Sequence, residues 1–334
     1  MNKILLLSSA LLLATFVQCS GSKSQSDDAS SATPKEAIEI PVFNPDSAYI
    51  FVKNQTDFGA RVPNTKPHAQ CLAYLSGKLR DYADSVVVQE GRGTLYNNKA
   101  IDIKNIIGIF NPQAADRVLL VAHWDSRPFA DQDPDPSRHK TPIIGANDGA
   151  SGVGILLEIA RNLTTLPDRI GVDIILFDVE DYGSPAFDPT VRNNDGGWCI
   201  GSKYWANNPH KSKSDYKARF GILLDMVGAT GAKFYKEQHS LRYARGIVDK
   251  VWGKAIASGF DGYFIDRSGG YIIDDHIPIN EIRNIPTIDI IQYDPNTESG
   301  FNPYWHTAKD NLDIIDRNTL YAVGQTVMNI VFDH

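Results

Sequence analysis

From about residue 85 onward the chain alternates between short runs of apolar, β-branched residues and longer stretches with helical spacing. Strand-like runs fall at residues 86–89, 100–110, 117–123, 172–178, 220–226 and 287–292, each bounded by turn-forming residues. Helical patterns fall at residues 152–163, 240–258 and 318–332, the first carrying Val153, Leu156, Leu157, Ile159, Ala160 and Leu163 on one broad face. Upstream, residues 52–62 read as a loop and residues 67–84 as a helix. Strands apolar on both faces, interleaved with helices, predict an α/β domain: a three-layer α/β/α sandwich around a mixed, mostly parallel sheet. No linker composition interrupts the alternation, and no internal repeat is present, so residues 45–334 read as one domain.

The N-terminus breaks this pattern. Lys3 precedes an apolar run to Val17, and Cys19 opens a stretch rich in Ser, Asp and Ala that ends at Pro34. This predicts an export signal over residues 1–18 and a flexible tether over residues 19–44, too short and too lopsided for a membrane span. Cys19 at the end of the run resembles the lipid-modified cysteine of bacterial lipoproteins, although Phe16-Val17-Gln18 is a loose match to the usual small residue before it. The expectation is an envelope protein, periplasmic, with a possible lipid anchor at Cys19. Only Cys71 and Cys199 remain in the body, too few for a disulfide scaffold or a four-thiolate zinc site, and whether they pair is left open.

The 334 residues carry 33 Lys+Arg against 40 Asp+Glu, a net charge of −7, with no basic block. That argues against nucleic acid as the partner, since neutralising phosphates needs clustered positive charge. The basic residues of 203–219 are interleaved with aromatics and serines and read as surface.

The candidate chemistry lies where the strands end. In open α/β sheets, functional groups collect beyond the carboxyl ends of the strands. His123-Trp124-Asp125 follows one strand, Asp178-Val179-Glu180-Asp181 a second, and Asp225 a third. The run GANDGASGVG puts Asp148 just before a helix, and WHTAKDN puts His306 after the last strand. His123, Asp148, Asp181, Asp225 and His306 are the nitrogen and oxygen donors that suit zinc, and three such ligands leave a position open for substrate. Glu180, beside a ligand but across the backbone from it, is placed to move protons. Taken singly, a strand-end Asp is often a turn residue and a lone His often a core residue; their joint placement after successive strands is what argues for a site.

Other motifs are better explained without function. Asp131, Asp133 and Asp135 alternate as in a calcium loop, but Pro136 replaces the turn glycine and Pro142 the bidentate Glu, so a solvated loop is expected. GASGVG has Ser151 where a dinucleotide fingerprint needs glycine. There is no P-loop and no HExxH sequence.

The series His123-x-Asp125, Asn147-Asp148, Glu180-Asp181, Leu224-Asp225 and His306-Thr307 resembles the zinc-dependent exopeptidases of the aminopeptidase type. More narrowly, AHWDSRP (122–128), DDHIPI (274–279) and FNPYWHTAKDN (301–311) resemble the glutaminyl-peptide cyclotransferases, or glutaminyl cyclases, on the same fold. The resemblance implies one zinc per chain held by Asp148, Asp181 and His306, with Glu180 as general acid/base. It implies Asp225 and Asp274 as supporting carboxylates, and Trp305, Phe301 and Ile272 as pocket wall, with Trp198 a further wall candidate and His123 near the metal. The substrate implied is a peptide or protein with an N-terminal glutamine, cyclised to pyroglutamate with release of ammonia. Animal cyclases read Glu-Glu where this chain has Glu180-Asp181, and the cysteines flanking their first metal motif are missing, which points to a bacterial type. The alternative is a two-zinc aminopeptidase in which His123 and Asp225 hold a second ion; another is a catalytically silent peptide-binding lipoprotein.

Overall fold

The computed structural model describes residues 39–188, 197–211 and 216–333. The expected signal, Cys19 and most of the tether lie outside the described residues.

Six strands form the main sheet: β1 (Ser85–Thr94), β2 (Ala100–Phe110), β3 (Asp116–His123), β4 (Ile170–Phe177), β5 (Phe220–Asp225) and, last in the chain, β8 (Thr287–Ile291). Their spatial order is β1-β2-β4-β3-β5-β8. β1 and β2 pair antiparallel, as do β2 and β4, whereas β4, β3, β5 and β8 run parallel. Every residue of β4 and β5 is buried, which is why their sequences are nearly continuous Ile, Val, Leu and Phe. A small second sheet pairs β6 (Phe234–Lys236) with β7 (Phe264–Ser268).

Among the described residues seven α-helices flank the main sheet, directly or through one another: α1 (Pro45–Thr56), α2 (Lys66–Tyr82), α3 (Ala150–Asn162), α4 (Ile200–Asn207), α5 (Gln238–Ala257), α6 (His276–Arg283) and α7 (Arg317–Phe332). One apolar core joins α1, α2, α3, α5 and α7 to Val118, Leu120, Ala122, Ile174, Leu176, Ile222 and Leu224. The opposite face, with Leu119, Val121, Ile175, Phe177 and Leu223, packs on Trp205 of α4 and Ile279 of α6. Alternation along each strand thus feeds two cores, and the three-layer expectation holds.

Three readings change. Residues 52–56 are helical, not loop: Asn44 accepts from the Asp46 and Ser47 amides and Pro45 starts α1 in the first turn, where no amide hydrogen is needed. Phe43, assigned to the tether, is buried, and its amide donates to Gln325 at 2.8 Å. α3 is buried all round from Ala150 to Ala160, not amphipathic, because α1 and α7 lie over it and the sheet under it. Cys71 and Cys199 are separate buried thiols. Among the described residues no helix is long and apolar enough to cross a membrane.

Candidate metal centre and substrate cavity

The four parallel strands end at one edge of the sheet. His123 closes β3 and Asp225 closes β5, each two residues beyond the paired Val121 and Leu223, so they stand level. Beyond β4 the chain turns sharply at Val179, whose φ of 55° is left-handed, and presents Glu180 and Asp181 in succession. Two buried carboxylates fix this turn. Asp178 accepts from His68 Nε2 at 2.8 Å and from the Lys104 amide at 2.7 Å. Asp125 accepts the Glu180 and Asp181 amides at 3.1 and 3.3 Å.

Asp148 sits at the entry to α3, and the Asp148–Gly149 peptide is cis. Asp310 holds this segment by accepting the Asn147 and Asp148 amides at 2.7 and 3.1 Å. Gly149 is needed for close approach: a Cβ there would lie 2.6 Å from His123 Nε2. Gly183 plays the same part for Trp198, whose ring would lie 1.8 Å from an added Cβ.

These turns bring ligand atoms together in two trios that share Asp148: Asp148, Asp181 and His306, and His123, Asp148 and Asp225. In the first, His306 Nε2 lies 3.3 Å from Asp181 Oδ1 and 3.5 Å from Asp148 Oδ2. In the second, His123 Nε2 lies 3.0 Å from Asp148 Oδ1 and 3.1 Å from Asp225 Oδ1. Asp181 Oδ2 is buried with no hydrogen-bond partner among the described residues, an oxygen that a cation would satisfy. Two carboxylates and an imidazole with that orphaned oxygen fit a zinc ion.

A cavity of about 600 Å³ opens onto the first trio. Asp148, Asp181, His306, Glu180, Asp225 and Asp274 all line it, as do Trp198, Trp305, Phe301 and Ile272. His123 does not: it is buried behind the lining residues Asp148 and Asp225, its Nε2 between their carboxylates and its Nδ1 3.6 Å from Asp125, so it stands near the candidate metal position and not in the cavity lining. The wall rings stack on His306. Trp305 lies 3.8 Å and Trp198 6.1 Å from the His306 ring, centroid to centroid, and Phe301 packs on Trp305 at 4.7 Å.

Burial dominates the electrostatics. It pushes the Glu180 carboxyl well above its ordinary range, reinforced by Asp274 and Asp181 against the pull of His123. Asp274 is raised in the same way, by burial and then by Asp225 and Asp275. Burial works to raise Asp148 too, but the hydrogen bond from His123 and the charges of His123 and His306 outweigh it and hold that carboxyl low. Cys199 Sγ reaches Glu180 Oε1 at 3.4 Å.

The expected solvated loop at residues 131–135 is solvated only in part: Gln132, Pro134 and Asp135 are exposed, but two of its acids are buried. Asp131 is buried and bidentate to Arg127, at 2.7 Å for both contacts, and Asp133 accepts the Ala308 amide at 3.0 Å. Acids that look exposed by composition are anchored by partners far along the chain, which no local pattern could reveal. Asp125 and Asp310 were likewise without an assigned role in the sequence, though both stand inside the quoted motifs.

A doubly covered mixed sheet with such trios at its carboxyl edge defines the zinc-dependent exopeptidase fold. A Zn-dependent exopeptidase of Parabacteroides distasonis is 51% identical, with a TM-score of 0.86 over 89% of this chain and 100% of that one. Residues 105–331 match peptidase family M28, and the chain belongs to that family. A Bacteroides thetaiotaomicron glutaminyl cyclase bound to N-acetylhistamine is 50% identical, with a TM-score of 0.85 over 89% of this chain and 100% of that one. An aminopeptidase of Bacillus subtilis is 28% identical over 298 residues, 86% of this chain and 56% of that protein, so the chain spans little more than half of that relative's length. The motif resemblance to glutaminyl cyclases on the zinc-exopeptidase fold is borne out, and the family and its Zn-dependent neighbour support zinc as the metal.

Proposed function

We propose that this chain is a zinc-dependent glutaminyl-peptide cyclotransferase with one catalytic ion, acting on peptides or proteins that begin with glutamine. One observation carries this reading: the trio Asp148, Asp181 and His306 opens, together with Glu180, into a cavity walled by Trp198, Trp305 and Phe301. The α-amine of the terminal glutamine attacks its own side-chain amide carbon. A carbon–nitrogen bond of the lactam forms, the bond to the amide nitrogen breaks, and that nitrogen leaves as ammonia. Zinc, when bound by Asp148, Asp181 and His306, supplies Lewis-acid polarisation of the side-chain carbonyl. Glu180 takes a proton from the attacking amine and returns it to the departing nitrogen, work that suits a carboxyl raised by burial and pulled back toward neutrality by a nearby cation. Asp225 and Asp274 line the same cavity, and Asp274 adds to burial in keeping the Glu180 carboxyl raised. The aromatic walls hold the glutamine in a cyclisation-ready rotamer and exclude water, and such positioning supplies much of the acceleration when both reacting groups belong to one residue.

The two-zinc aminopeptidase is the weaker reading, favoured by the second trio, His123, Asp148 and Asp225. Incubating the protein with a glutamine-initiated peptide separates them. A product that keeps every residue and has lost one ammonia supports cyclisation; free glutamine in solution refutes it.

Export to the cell envelope, a periplasmic location and a lipid anchor at Cys19 belong to the same proposal and rest on the first 19 residues alone. Globomycin-sensitive processing in a bacterial host, with a lipid-modified Cys19 in the mature chain, tests the anchor.

A further inference from the structure

We infer that Arg127, acting as one unit with Asp131, is a positioning residue that sets both the zinc-ligand geometry and the cavity wall. The inference rests on Asp181 and His306 being zinc ligands, as proposed above. Arg127 is almost wholly buried, and its guanidinium donors are taken up by Asp131, Asp181 and Ser184. Nε and Nη2 donate to the two oxygens of Asp131 at 2.7 Å each. Nη1 donates to Asp181 Oδ1 at 3.2 Å and to the Asp181 carbonyl at 3.3 Å, and Nη2 also reaches the Ser184 carbonyl at 3.3 Å. Its carbon centre lies 4.8 Å from the centre of the Trp198 ring.

Asp131 then carries the arrangement to the other ligand. Its Oδ1 faces His306 Nδ1 at 3.6 Å, and its Oδ2 accepts the Ala186 amide at 2.7 Å. At 3.6 Å this is an electrostatic contact beyond hydrogen-bond length, and a carboxylate on that side of the ring favours the tautomer with the proton on Nδ1 and Nε2 free for a metal. Asp181 in turn is bridged to Trp198 through the backbone, and Trp198 stacks on His306. One guanidinium therefore touches Asp181 and Trp198 directly and His306 through Asp131. By occupying Asp181 Oδ1 it leaves Oδ2 as the oxygen without a partner. The planar fork is what makes this possible: a lysine ammonium has three donors and cannot hold Asp131 with two parallel bonds while also reaching Asp181 and Ser184.

The test uses the zinc-loaded full chain and the variants Arg127→Met, Arg127→Lys, Asp131→Asn and the double variant Arg127→Met/Asp131→Asn. Zinc transfer to a chromophoric chelator is timed alongside kcat and KM for a glutamine-initiated peptide. Arg127→Met and Asp131→Asn are each expected to speed zinc release by about tenfold or more, the usual scale for such outer partners. The double variant should release zinc no faster than the worse single one, because the two side chains act together. Arg127→Lys should fall between wild type and Arg127→Met, and KM should rise more than kcat falls as Trp198 loses its support. If Arg127→Met does not fold, Asp131→Asn and Arg127→Lys still decide the matter. A role in stability alone would lower the melting temperature while zinc release and KM of the folded protein stayed at wild-type values; that result, or fully additive losses, overturns the inference. Faster zinc release in a protein that never cyclises glutamine would uphold Arg127's role and refute the cyclotransferase reading.

Discussion

The two trios that share Asp148 contain the same residue types, two aspartates and one histidine, yet they differ in surroundings. In Asp148, Asp181 and His306, the ligand atoms stand 3.3 to 3.5 Å apart, one oxygen is orphaned, and all three residues face the cavity. In His123, Asp148 and Asp225, the imidazole lies behind the cavity lining and has already closed on both carboxylates at 3.0 and 3.1 Å. Burial works to lower the His123 pKa, but Asp125, Asp148 and Asp225 together raise it well above the usual value, a charge that on the one-zinc proposal would stand where a second ion would otherwise sit. Ligand inventory alone does not define a metal site; on the proposed reading, access and the charge already present favour the trio of Asp148, Asp181 and His306.

The largest expected effect comes from exchanging one histidine at a time. His306→Ala should release the zinc and lower turnover by roughly three orders of magnitude or more, since Lewis-acid polarisation contributes several kcal/mol at about 1.4 kcal/mol per tenfold. His123→Ala should keep its zinc and lose only about tenfold, the scale of an outer-sphere partner. Equal zinc loss in both variants, measured by metal analysis after dialysis, would erase the distinction between the trios. Next in size, Glu180→Gln should cut kcat by about 10² to 10⁴ with zinc content unchanged, as expected for removal of a general acid/base. Turnover that survives this change would assign the proton transfer elsewhere.

A smaller effect separates wall from ligand. Trp305→Ala should raise KM for a glutamine peptide about tenfold, the worth of one stacked aromatic contact, while zinc retention stays as in wild type. The smallest concerns pH. Burial first, then the charge of Asp148, raises the Asp181 carboxyl despite His306 and Arg127. A raised ligand is protonated sooner as pH falls, and the proton competes with the metal. Zinc affinity should therefore begin to weaken above the ordinary carboxylate range near about 4, by less than about tenfold per pH unit. An affinity that stays flat down to that range would show that the Asp181 carboxyl is not raised.

Much of the fold was legible because its strands are buried on both faces. The expected run at residues 100–110 and the observed β2 coincide, and β3, β4, β5 and β8 differ from their expected spans by one or two residues at an end. What escaped has identifiable causes. α6 carries Pro278 in its first turn, where proline is tolerated but reads as a breaker. β6 has three residues, and β7 ends in Asp266, Arg267 and Ser268, so neither shows an apolar run. In the site, Asp148, Glu180, Asp181, Asp225 and His306 were visible because strand ends and a helix entry place them by topology. The Arg127–Asp131 pair was not, because its meaning depends on Asp181, Ser184 and Ala186, more than 50 positions away. Its four-residue spacing lies in a loop, where no helical periodicity draws attention to it.

The most direct test is to count and locate the metal: native mass measurement of the zinc-loaded chain, with anomalous scattering from its crystals to place each ion. One zinc, lying among Asp148, Asp181 and His306 with the His123–Asp225 contact intact, is the predicted result. Two ions bridged by Asp148 would contradict it and make the chain a two-metal aminopeptidase.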